Sequence, residues 1–279
     1  MSYPSRMRVI AFSLMLCACG SSPQAGDDDA SVSGVDSPPG SVILPPVNAK
    51  ADYQLGGAYV PPAGVTVVSR DRTEVPAAGL YNICYVNGFQ IQHTPNEEAF
   101  WNNQHPDLIL RDNGAPVIDA AWSEMLIDVS TPAKRIAVAA IVGGWIDGCK
   151  QAGFNAIEID NLDSFSRSRS LLTEDNAVDV MALFSARAHR AGLAIAQKNS
   201  SEIVARRAEL GTDFAVAEEC NRFSECDVYR SGYGDHVIVI EYRAADFHTG
   251  CSKFPTLSII LRDLNLVTPA AAAYVYDAC

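Results

Sequence analysis

Short apolar or β-branched runs recur along the chain from about residue 49, and almost every run stops at a carboxylate, an amide, an arginine or a lysine. Helix-like stretches follow several runs, and this alternation is typical of a parallel sheet. In an α/β barrel the carboxyl ends of all strands meet at one mouth, so polar residues there indicate a site. The nine runs cover residues 65–69, 80–86, 108–110, 125–127, 156–159, 193–196, 214–217, 237–240 and 257–261.

Nine runs compete for eight places in such a barrel, and we interpret 108–110 as a loop segment. The clearest helix is predicted over 176–191, where apolar residues form one stripe and Gly192 follows. We therefore expect an α/β protein with a single-domain (β/α)8 TIM barrel over residues 49–279. The alternative is a doubly wound sheet, whose ligand site needs polar residues only at the switch point.

Two arginines precede an apolar run at residues 9–19, which is too short to span a bilayer but has the length of a secretory signal. Because the run ends in a lipobox-like Leu-Cys-Ala-Cys-Gly, we expect a lipoprotein signal peptide over 1–18, with lipidation at Cys19. The alternative is an ordinary signal peptide cut near Ala18. A flexible linker rich in Ser, Gly, Pro and Asp is expected over 19–48. The mature protein is then exported, to the bacterial cell envelope or beyond, and contacts a membrane only through the lipid.

Six of the eight cysteines lie beyond the leader. An even number in an oxidising compartment indicates disulfides, and six cysteines allow fifteen pairings. Proximity favours Cys220–Cys226. We expect Cys251–Cys279 as the second pair, and elimination then leaves Cys84–Cys149 as the third. No C-x-x-C pair occurs and the five histidines are scattered, so we expect no metal and no cofactor.

The net charge of −12 belongs mainly to the body of the protein, because residues 1–48 hold two arginines and four aspartates and so account for only two of the twelve negative charges. Such acidity argues against a nucleic-acid partner and favours a cationic ligand. The sequence contains no G-x-S-x-G elbow and no G-x-G-x-x-G or phosphate loop. We expect a monomer.

Asp160 and a carboxylate after the 214–217 run form a candidate catalytic pair. If Ile157 and Ile159 face the helices, Glu158 and Asp160 face the barrel interior, and only Asp160 lies at the mouth. Two carboxylates on separate strand ends can flank one glycosidic bond, one as acid and the other as nucleophile or base. The alternative is that they only balance the charge of Arg70, Lys198 or Arg262.

Lys198 follows the 193–196 run, where a barrel aldolase could carry a Schiff-base lysine. Many nearby carboxylates would favour the ammonium form, so we expect an ion-pairing or hydroxyl-binding role. Several tryptophans and tyrosines, including Tyr53 and Trp122, could stack on sugars. Tyr85 and Tyr242 are better placed because they lie next to strand ends.

Five of these stretches resemble, in order, the strand-end motifs of glycoside hydrolase family 114, the endo-α-1,4-polygalactosaminidase type of TIM barrel. They lie at 84–88 (CYVNG), 153–161 (GFNAIEIDN), 192–199 (GLAIAQKN), 214–220 (FAVAEEC) and 239–242 (VIEY). The resemblance covers roughly residues 50–279. It implies hydrolysis of α-1,4-linked galactosamine polymers in an acidic groove that suits a cationic amino sugar.

The resemblance also implies roles for single residues. The family's fourth-strand Asp falls on Asp160, and its sixth-strand Glu falls on Glu218, one residue before the Cys of the motif. Asp160 would attack or stabilise the anomeric carbon and Glu218 would protonate the leaving oxygen, with Glu219 as the alternative acid. Asp71 and Asp128 match acidic positions of the first and third strands and are candidate substrate contacts.

The other candidate substrate contacts lie at or just after strand ends. They are Tyr85, Asn161, Asp163, Lys198, Asn199, Glu219, Glu241, Tyr242 and Arg262. Fold and carboxylates do not by themselves fix the sugar or prove catalysis. Two alternatives therefore stay open: a non-catalytic surface lipoprotein that binds amino-sugar polymer, and a barrel hydrolase of another α-galactoside.

Overall fold

The structure is a computed structural model and describes residues 42–279. The predicted signal peptide, Cys19 and most of the predicted linker lie outside these residues. Within them, no helix has the length and apolar character needed to cross a membrane.

Eight parallel strands form the body of the fold, and each pairs with the next along the chain. A ninth strand runs antiparallel beside the eighth. The predicted α/β barrel is thus confirmed. The strands are β1 (Ala51–Gln54), β2 (Val67–Asp71), β3 (Tyr81–Asn87), β4 (Ala156–Asp160), β5 (Ala194–Lys198), β6 (Phe214–Glu218), β7 (Val237–Glu241), β8 (Ser258–Arg262) and β9 (Tyr276–Ala278).

The predicted helix over 176–191 is α4, which begins at a capping box of Thr173 and Asn176 and ends before Gly192, a left-handed glycine with φ of 70°. The helices are α1 (Pro95–Gln104), α2 (Pro132–Ala152), α3 (Ser164–Arg167), α4 (Glu174–Arg190), α5 (Arg207–Leu210), α6 (Cys220–Phe223), α7 (Cys226–Tyr233) and α8 (Ala244–Lys253), with 3-10 turns at Pro106–Leu108 and Ser201–Arg206.

The connections depart from eight regular βα units. Loops 55–66 and 72–80 join β1 to β2 and β2 to β3, without helices. The β3–β4 crossover is long, and it carries α1, α2 and a small antiparallel sheet made of Gln90–Ile91, Ile118–Asp119 and Glu124–Leu126. The barrel therefore has its most elaborate wall beside β3 and β4.

Two strand assignments from the sequence were wrong. The 125–127 run is no barrel strand: its residues Met125 and Leu126 belong to the small antiparallel sheet, where Leu126 is fully buried. The true first strand, Ala51–Gln54, has too few apolar residues to stand out. One strand was missed and one was counted in excess, so Asp160 still ends the fourth barrel strand and Glu218 the sixth.

Alternate residues of each strand point into the barrel. On β4, Ile157 and Ile159 pack outward against the cluster that contains α2 and α4, and Ala156 joins the inner cluster. That inner cluster combines the bulky Phe214 with small alanines of neighbouring strands, which fills the interior in layers. Glu158 and Asp160 consequently face inward, as the period of two requires.

Residues 42–48, which the sequence assigned to the linker, pack beneath the barrel. Val42 and Leu44 contact the inner apolar cluster. The Tyr81 hydroxyl donates to the Ile43 carbonyl at 2.6 Å, and the His236 ring donates to a carbonyl of the same segment. Since Tyr81 begins β3 and His236 precedes β7, this segment covers the amino ends of the strands.

Within the described residues, strand hydrogen bonds do not join β8 to β1. Side-chain hydrogen bonds cross this seam instead. The Ala49 N–H donates to the Ser258 hydroxyl at 2.8 Å, and the Tyr276 hydroxyl donates to the Ala51 carbonyl at 3.0 Å. The barrel is therefore closed by side chains at its last junction.

Arg262 completes the seam. Its fully buried guanidinium donates to the carbonyl of Tyr53, to Oδ1 of Asp52 at 3.1 Å, and to the carbonyls of Val267 and Val275 at 3.0 and 3.1 Å. All of these acceptors lie within the seam, so the Arg262 side chain does not line the cavity at the mouth. Its position after a strand predicts a substrate contact, but the guanidinium bends into the seam.

The three predicted disulfides are confirmed. One bond ties β3 to α2, one joins α6 to α7, and one links α8 to the residue that follows β9. Such cross-links constrain the unfolded chain. Three disulfides are typical of an exported protein. The bonds are Cys84–Cys149, Cys220–Cys226 and Cys251–Cys279.

Replacing Arg262 with Met should lower the free energy of unfolding by about 3 to 5 kcal/mol, because the buried Asp52 would lose its counter-ion. Urea unfolding with the disulfides intact measures this effect. Adding Asp52→Asn should restore part of the loss. The matched control is Lys253→Met, which breaks an exposed pair with Asp227 and should cost no more than about 1 kcal/mol. Equal effects of the two single variants would contradict a seam held by Arg262.

Candidate active site

A cavity of about 460 Å³ opens at the carboxyl ends of the strands. This volume lies in the range of small-molecule sites, about 300 to 1,000 Å³. Side chains from the carboxyl-terminal parts of strands β2 to β6, or from the residues directly after β4, β5 and β7, line it together with Tyr53 of β1 and loop residues. The strand-end residues are Asp71, Tyr85, Asp160, Asn161, Lys198, Asn199, Glu218 and Tyr242.

Lys198 lies at the centre of the cavity floor with only 2% of its side chain exposed. Its Nζ is 3.1 Å from Oδ1 of Asp160 and 3.2 Å from carboxylate oxygens of both Glu158 and Glu218. It also donates to the Tyr53 hydroxyl at 3.0 Å. One ammonium thus binds side chains of β1, β4 and β6.

The electrostatics of Lys198 favour an ammonium ion. Burial alone would lower its pKa, but Asp160, Glu218 and Glu158 raise the pKa well above its usual value. An ammonium is not a nucleophile, so the surroundings favour the ion-pairing interpretation over a Schiff base.

Asp160 is held as a carboxylate. Its Oδ2 accepts a hydrogen bond from the Tyr85 hydroxyl at 2.6 Å, and Oδ1 faces Lys198. Burial would raise the pKa of this carboxyl, but the ammonium, the Tyr85 hydroxyl and the backbone N–H of Asn161 together hold the pKa below its usual value. The side chain is therefore ionised and directed at the cavity.

Glu218 lies across the ammonium from Asp160. Its Oε1 accepts a hydrogen bond from the Tyr242 hydroxyl, and Oε2 accepts one from Nδ2 of Asn199 at 3.0 Å. The amide oxygen of Asn199 in turn accepts the backbone N–H of Glu218 at 2.8 Å, so a single asparagine fixes both ends of this residue. The Glu218 side chain is 27% exposed, against 18% for Asp160.

The two carboxylates are close together. Because Nζ of Lys198 lies 3.1 Å from Oδ1 of Asp160 and 3.2 Å from Oε2 of Glu218, these two oxygens are no more than about 6.3 Å apart. A sugar ring placed above Lys198 could contact both carboxylates.

The chain turns sharply after β4, β5 and β6. The next residue of each strand, Asn161, Asn199 or Glu219, adopts a left-handed conformation with φ of 64°, 48° and 55°. Asparagine enters this region readily, whereas it is uncommon for glutamate. At Glu219 the turn directs the side chain away from the cavity, where it pairs with Arg222 at 2.6 Å. Of the two adjacent glutamates, only Glu218 lines the cavity.

Glu158 lies one layer below Asp160 and is completely buried. It accepts hydrogen bonds from the hydroxyls of Tyr53 and Ser69. Burial raises its pKa, and Lys198 opposes the shift. Glu158 therefore supports the ammonium from below and is shielded from substrate.

Asp71 and Asp163 also line the cavity. Asp163 binds both terminal nitrogens of Arg167, at 2.7 and 2.8 Å. Asp71 ends β2, which corrects its assignment to the first strand, and accepts hydrogen bonds from Thr73.

Asp128 and Glu241, like Glu219 and Arg262, lie outside the cavity lining. Asp128 precedes α2 and pairs with Lys134 in the first turn of that helix, because the 125–127 run is not a barrel strand. Glu241 points outward from β7 and accepts the backbone N–H of Asn221 at 2.8 Å, since the period of two turns only Tyr242 inward.

Several lining residues lie away from the ends of the predicted strands. Asp119 and Glu124 belong to the small antiparallel sheet, and Trp122 lies on the turn between them. Tyr53 comes from the unrecognised β1. The sequence places Tyr53 and Trp122 only among the aromatics that could stack on sugars. Carboxylates of an antiparallel hairpin do not follow parallel strands, so the pattern of polar strand ends does not include them.

One close group of potential metal ligands occurs in the described part of the chain: Cys220, Cys226 and Glu241. The two cysteines form a disulfide, so their sulfurs are not available as thiolates. This group therefore does not fit a metal ion.

An α/β barrel that presents two carboxylates at its mouth has the arrangement of many glycosidases. Residues 34–279 match the family model of glycoside-hydrolase family GH114. The chain belongs to this family and is a glycoside hydrolase.

Solved structures show the same fold. The crystal structure of Aspergillus fumigatus Ega3 in complex with galactosamine is 19% identical, with 86% of this chain and 98% of that chain covered and a TM-score of 0.67. The glycoside hydrolase domain of PelA from Pseudomonas aeruginosa is 14% identical, with 81% and 97% covered and a TM-score of 0.56. No sequence among the curated proteins matches this chain.

Replacing Lys198 with Met should move the acid limb of the pH profile of kcat/KM to higher pH by about one unit or more. The reason is that Asp160 would lose the cation that lowers its pKa. Hydrolysis rates between pH 3 and pH 8 measure the shift, with circular dichroism to verify folding. Lys134→Met, which breaks an ion pair outside the cavity, should leave the limb in place. An unmoved limb in Lys198→Met would contradict the role of the ammonium.

Proposed function

We propose that this chain hydrolyses α-1,4-linked galactosamine-containing polysaccharide, with Asp160 and Glu218 as its catalytic carboxylates. The observation that carries the proposal is the shared ammonium of Lys198, which brings both carboxylates to one side of an acidic cavity. The family membership supports glycosidic cleavage.

In the first step, Asp160 attacks the anomeric carbon as the glycosidic C–O bond breaks, and Glu218 gives its proton to the leaving oxygen. In the second step, Glu218 takes a proton from water, the water oxygen bonds to the anomeric carbon, and Asp160 leaves. The ionised state of Asp160 suits the nucleophile. The greater exposure of Glu218 suits exchange of protons with the leaving sugar and with water.

The spacing of the carboxylates supports retention of anomeric configuration. Retaining glycosidases hold the two groups about 5 to 5.5 Å apart, whereas inverting enzymes need about 6.5 to 9.5 Å to admit a water molecule. The facing oxygens of Asp160 and Glu218 are no more than about 6.3 Å apart, a limit that includes the spacing of retaining enzymes.

The charge of the cavity supports a cationic sugar. Six carboxylates line it against two cations, Arg167 and Lys198. A field of this sign attracts a polymer that bears ammonium groups and concentrates it near the site. Galactosamine, with which Ega3 forms its crystallised complex, is a sugar that bears such an amino group.

Release of reducing sugar from de-N-acetylated galactosamine polymer tests the proposal. Asp160→Asn and Glu218→Gln should each lower kcat by about 10²-fold or more, as expected when a nucleophile or a general acid is lost. The matched control is Glu219→Gln, which changes the neighbouring carboxylate outside the cavity and should retain activity.

Full activity of both Asp160→Asn and Glu218→Gln would overturn the assignment of the catalytic pair. Turnover of a neutral α-galactoside alone would favour the alternative of a barrel hydrolase that acts on another α-galactoside. Affinity for amino-sugar polymer without turnover of any glycan would favour the non-catalytic binder.

We also propose that the protein is exported by a signal peptide over 1–18 and anchored through a lipid on Cys19, followed by the linker. The three disulfides support an oxidising compartment. In bacteria that express the full chain, Cys19→Ala should move the protein from the membrane fraction to a soluble fraction, as judged by immunoblotting. Cys17→Ala is the matched control and should leave it in the membrane fraction. Unchanged membrane association of Cys19→Ala would contradict the anchor.

A further inference from the structure

One wall of the cavity comes from the hairpin of the small antiparallel sheet. The strands Ile118–Asp119 and Glu124–Leu126 pair with each other, and the turn between them carries Trp122. Trp122 is 61% exposed at the rim, and Asp119 and Glu124 line the cavity further in. Neither catalytic carboxylate comes from this hairpin.

Glu124 is held on the Asp160 side of the cavity. Its Oε2 accepts a hydrogen bond from Nδ2 of Asn87 at 3.0 Å. Asn87 is the residue of β3 that lies opposite Asp160 in the strand ladder, and its Oδ1 accepts a hydrogen bond from Asn161 at 3.1 Å. The Glu124 carboxylate is therefore fixed to the edge of the mouth where Asp160 emerges.

Most cavity carboxylates are already paired with a cation. Asp160 and Glu218 share Lys198, and Asp119 and Asp163 share Arg167. Within the described residues Glu124 forms no ion pair and has only the neutral amide of Asn87 as a side-chain partner. It can accept a cation without breaking an existing pair.

The surroundings of Glu124 make its charge unfavourable while no cation is bound. Burial, and then the nearby charges of Asp160 and Asp119, raise its pKa to about 7, although the Asn87 amide and the His93 backbone N–H oppose the shift. A cation placed against this carboxylate would relieve that cost.

We propose that Glu124 binds the ammonium group of the amino-sugar ring whose anomeric carbon is attacked by Asp160. This inference rests on the proposed function. The amino group of such a ring is on the carbon next to the reacting carbon, so its partner must lie close to Asp160. Glu124 meets this requirement through Asn87. Asp71 also forms no ion pair among the described residues, but its carboxylate already accepts hydrogen bonds from Thr73 and Gln92.

The consequence is selection between an amine and other groups at that carbon. A free ammonium forms a charged hydrogen bond with Glu124, whereas a hydroxyl or an acetamide cannot supply the positive charge. A hydrogen bond to a charged partner contributes about 1.5 to 3 kcal/mol, or roughly 10- to 150-fold in binding. Glu124 thus determines substrate specificity without taking part in bond breaking.

Calorimetric titration of the full protein with galactosamine and with galactose tests the inference by binding alone. The wild-type protein should bind galactosamine at least about 10-fold more tightly than galactose, and Glu124→Gln should lose most of this preference. The matched control is Glu98→Gln in α1, outside the cavity, which should keep the wild-type preference. Because Glu124→Gln removes an unfavourably buried charge, its melting temperature should be no lower than that of the wild type.

Kinetics give a second readout. On de-N-acetylated polymer, Glu124→Gln should raise KM about 10-fold or more and change kcat little, since Asp160 and Glu218 are untouched. Equal wild-type affinity for the two sugars, or a preference that survives in Glu124→Gln, would overturn this inference. If Glu124 proves unimportant but Asp160→Asn abolishes hydrolysis, the proposed function still stands and only the role of Glu124 is overturned. A failure of this inference can therefore be told apart from a failure of the proposed function.

Discussion

The mouth of the barrel depends on the buried ammonium of Lys198. Glu158, Asp160 and Glu218 all lie within 3.2 Å of it. Two like charges about 4 Å apart repel each other by about 4 kcal/mol at an effective dielectric constant of 20. Three carboxylates could not converge at this depth without a cation between them. The same ion pair network that stabilises the strand ends also sets the distance between the two carboxylates proposed to act on substrate.

The direction of each side chain follows from the period of the strand and from the turn that ends it. Asp160 and Glu218 are the last residues of β4 and β6 and face inward, whereas Glu241 is the last residue of β7 and faces outward. The left-handed residues after β4, β5 and β6 then divert the chain at once. Adjacent residues of identical chemistry, such as Glu218 and Glu219, consequently have different surroundings.

Much of this arrangement could be predicted from the sequence. Strands β2 to β8, the helix α4, the disulfides and the inward direction of Asp160 follow from apolar runs, period and cysteine spacing. The wall that contains Glu124 could not be predicted in the same way. It comes from an antiparallel hairpin inside a long crossover, and the position of such a hairpin depends on tertiary packing rather than on a repeating pattern. The very short β1 was missed because only Ala51 and Tyr53 of its four residues are apolar, which is too few to form a recognisable run.

The seam of the barrel also shapes the cavity. The loop after β8 brings Leu264, Asn265 and Leu266 to the cavity wall, beside Leu55 and Gly56 after β1. The Leu266 carbonyl lies so close to Gly56 that a Cβ there would be only 2.4 Å away. Arg262 holds one end of this loop, and β9 with the Cys251–Cys279 bond holds the other. The loop therefore lies across the last junction of the barrel and forms part of the cavity wall, so a mutation that loosens this junction also changes the shape of the cavity.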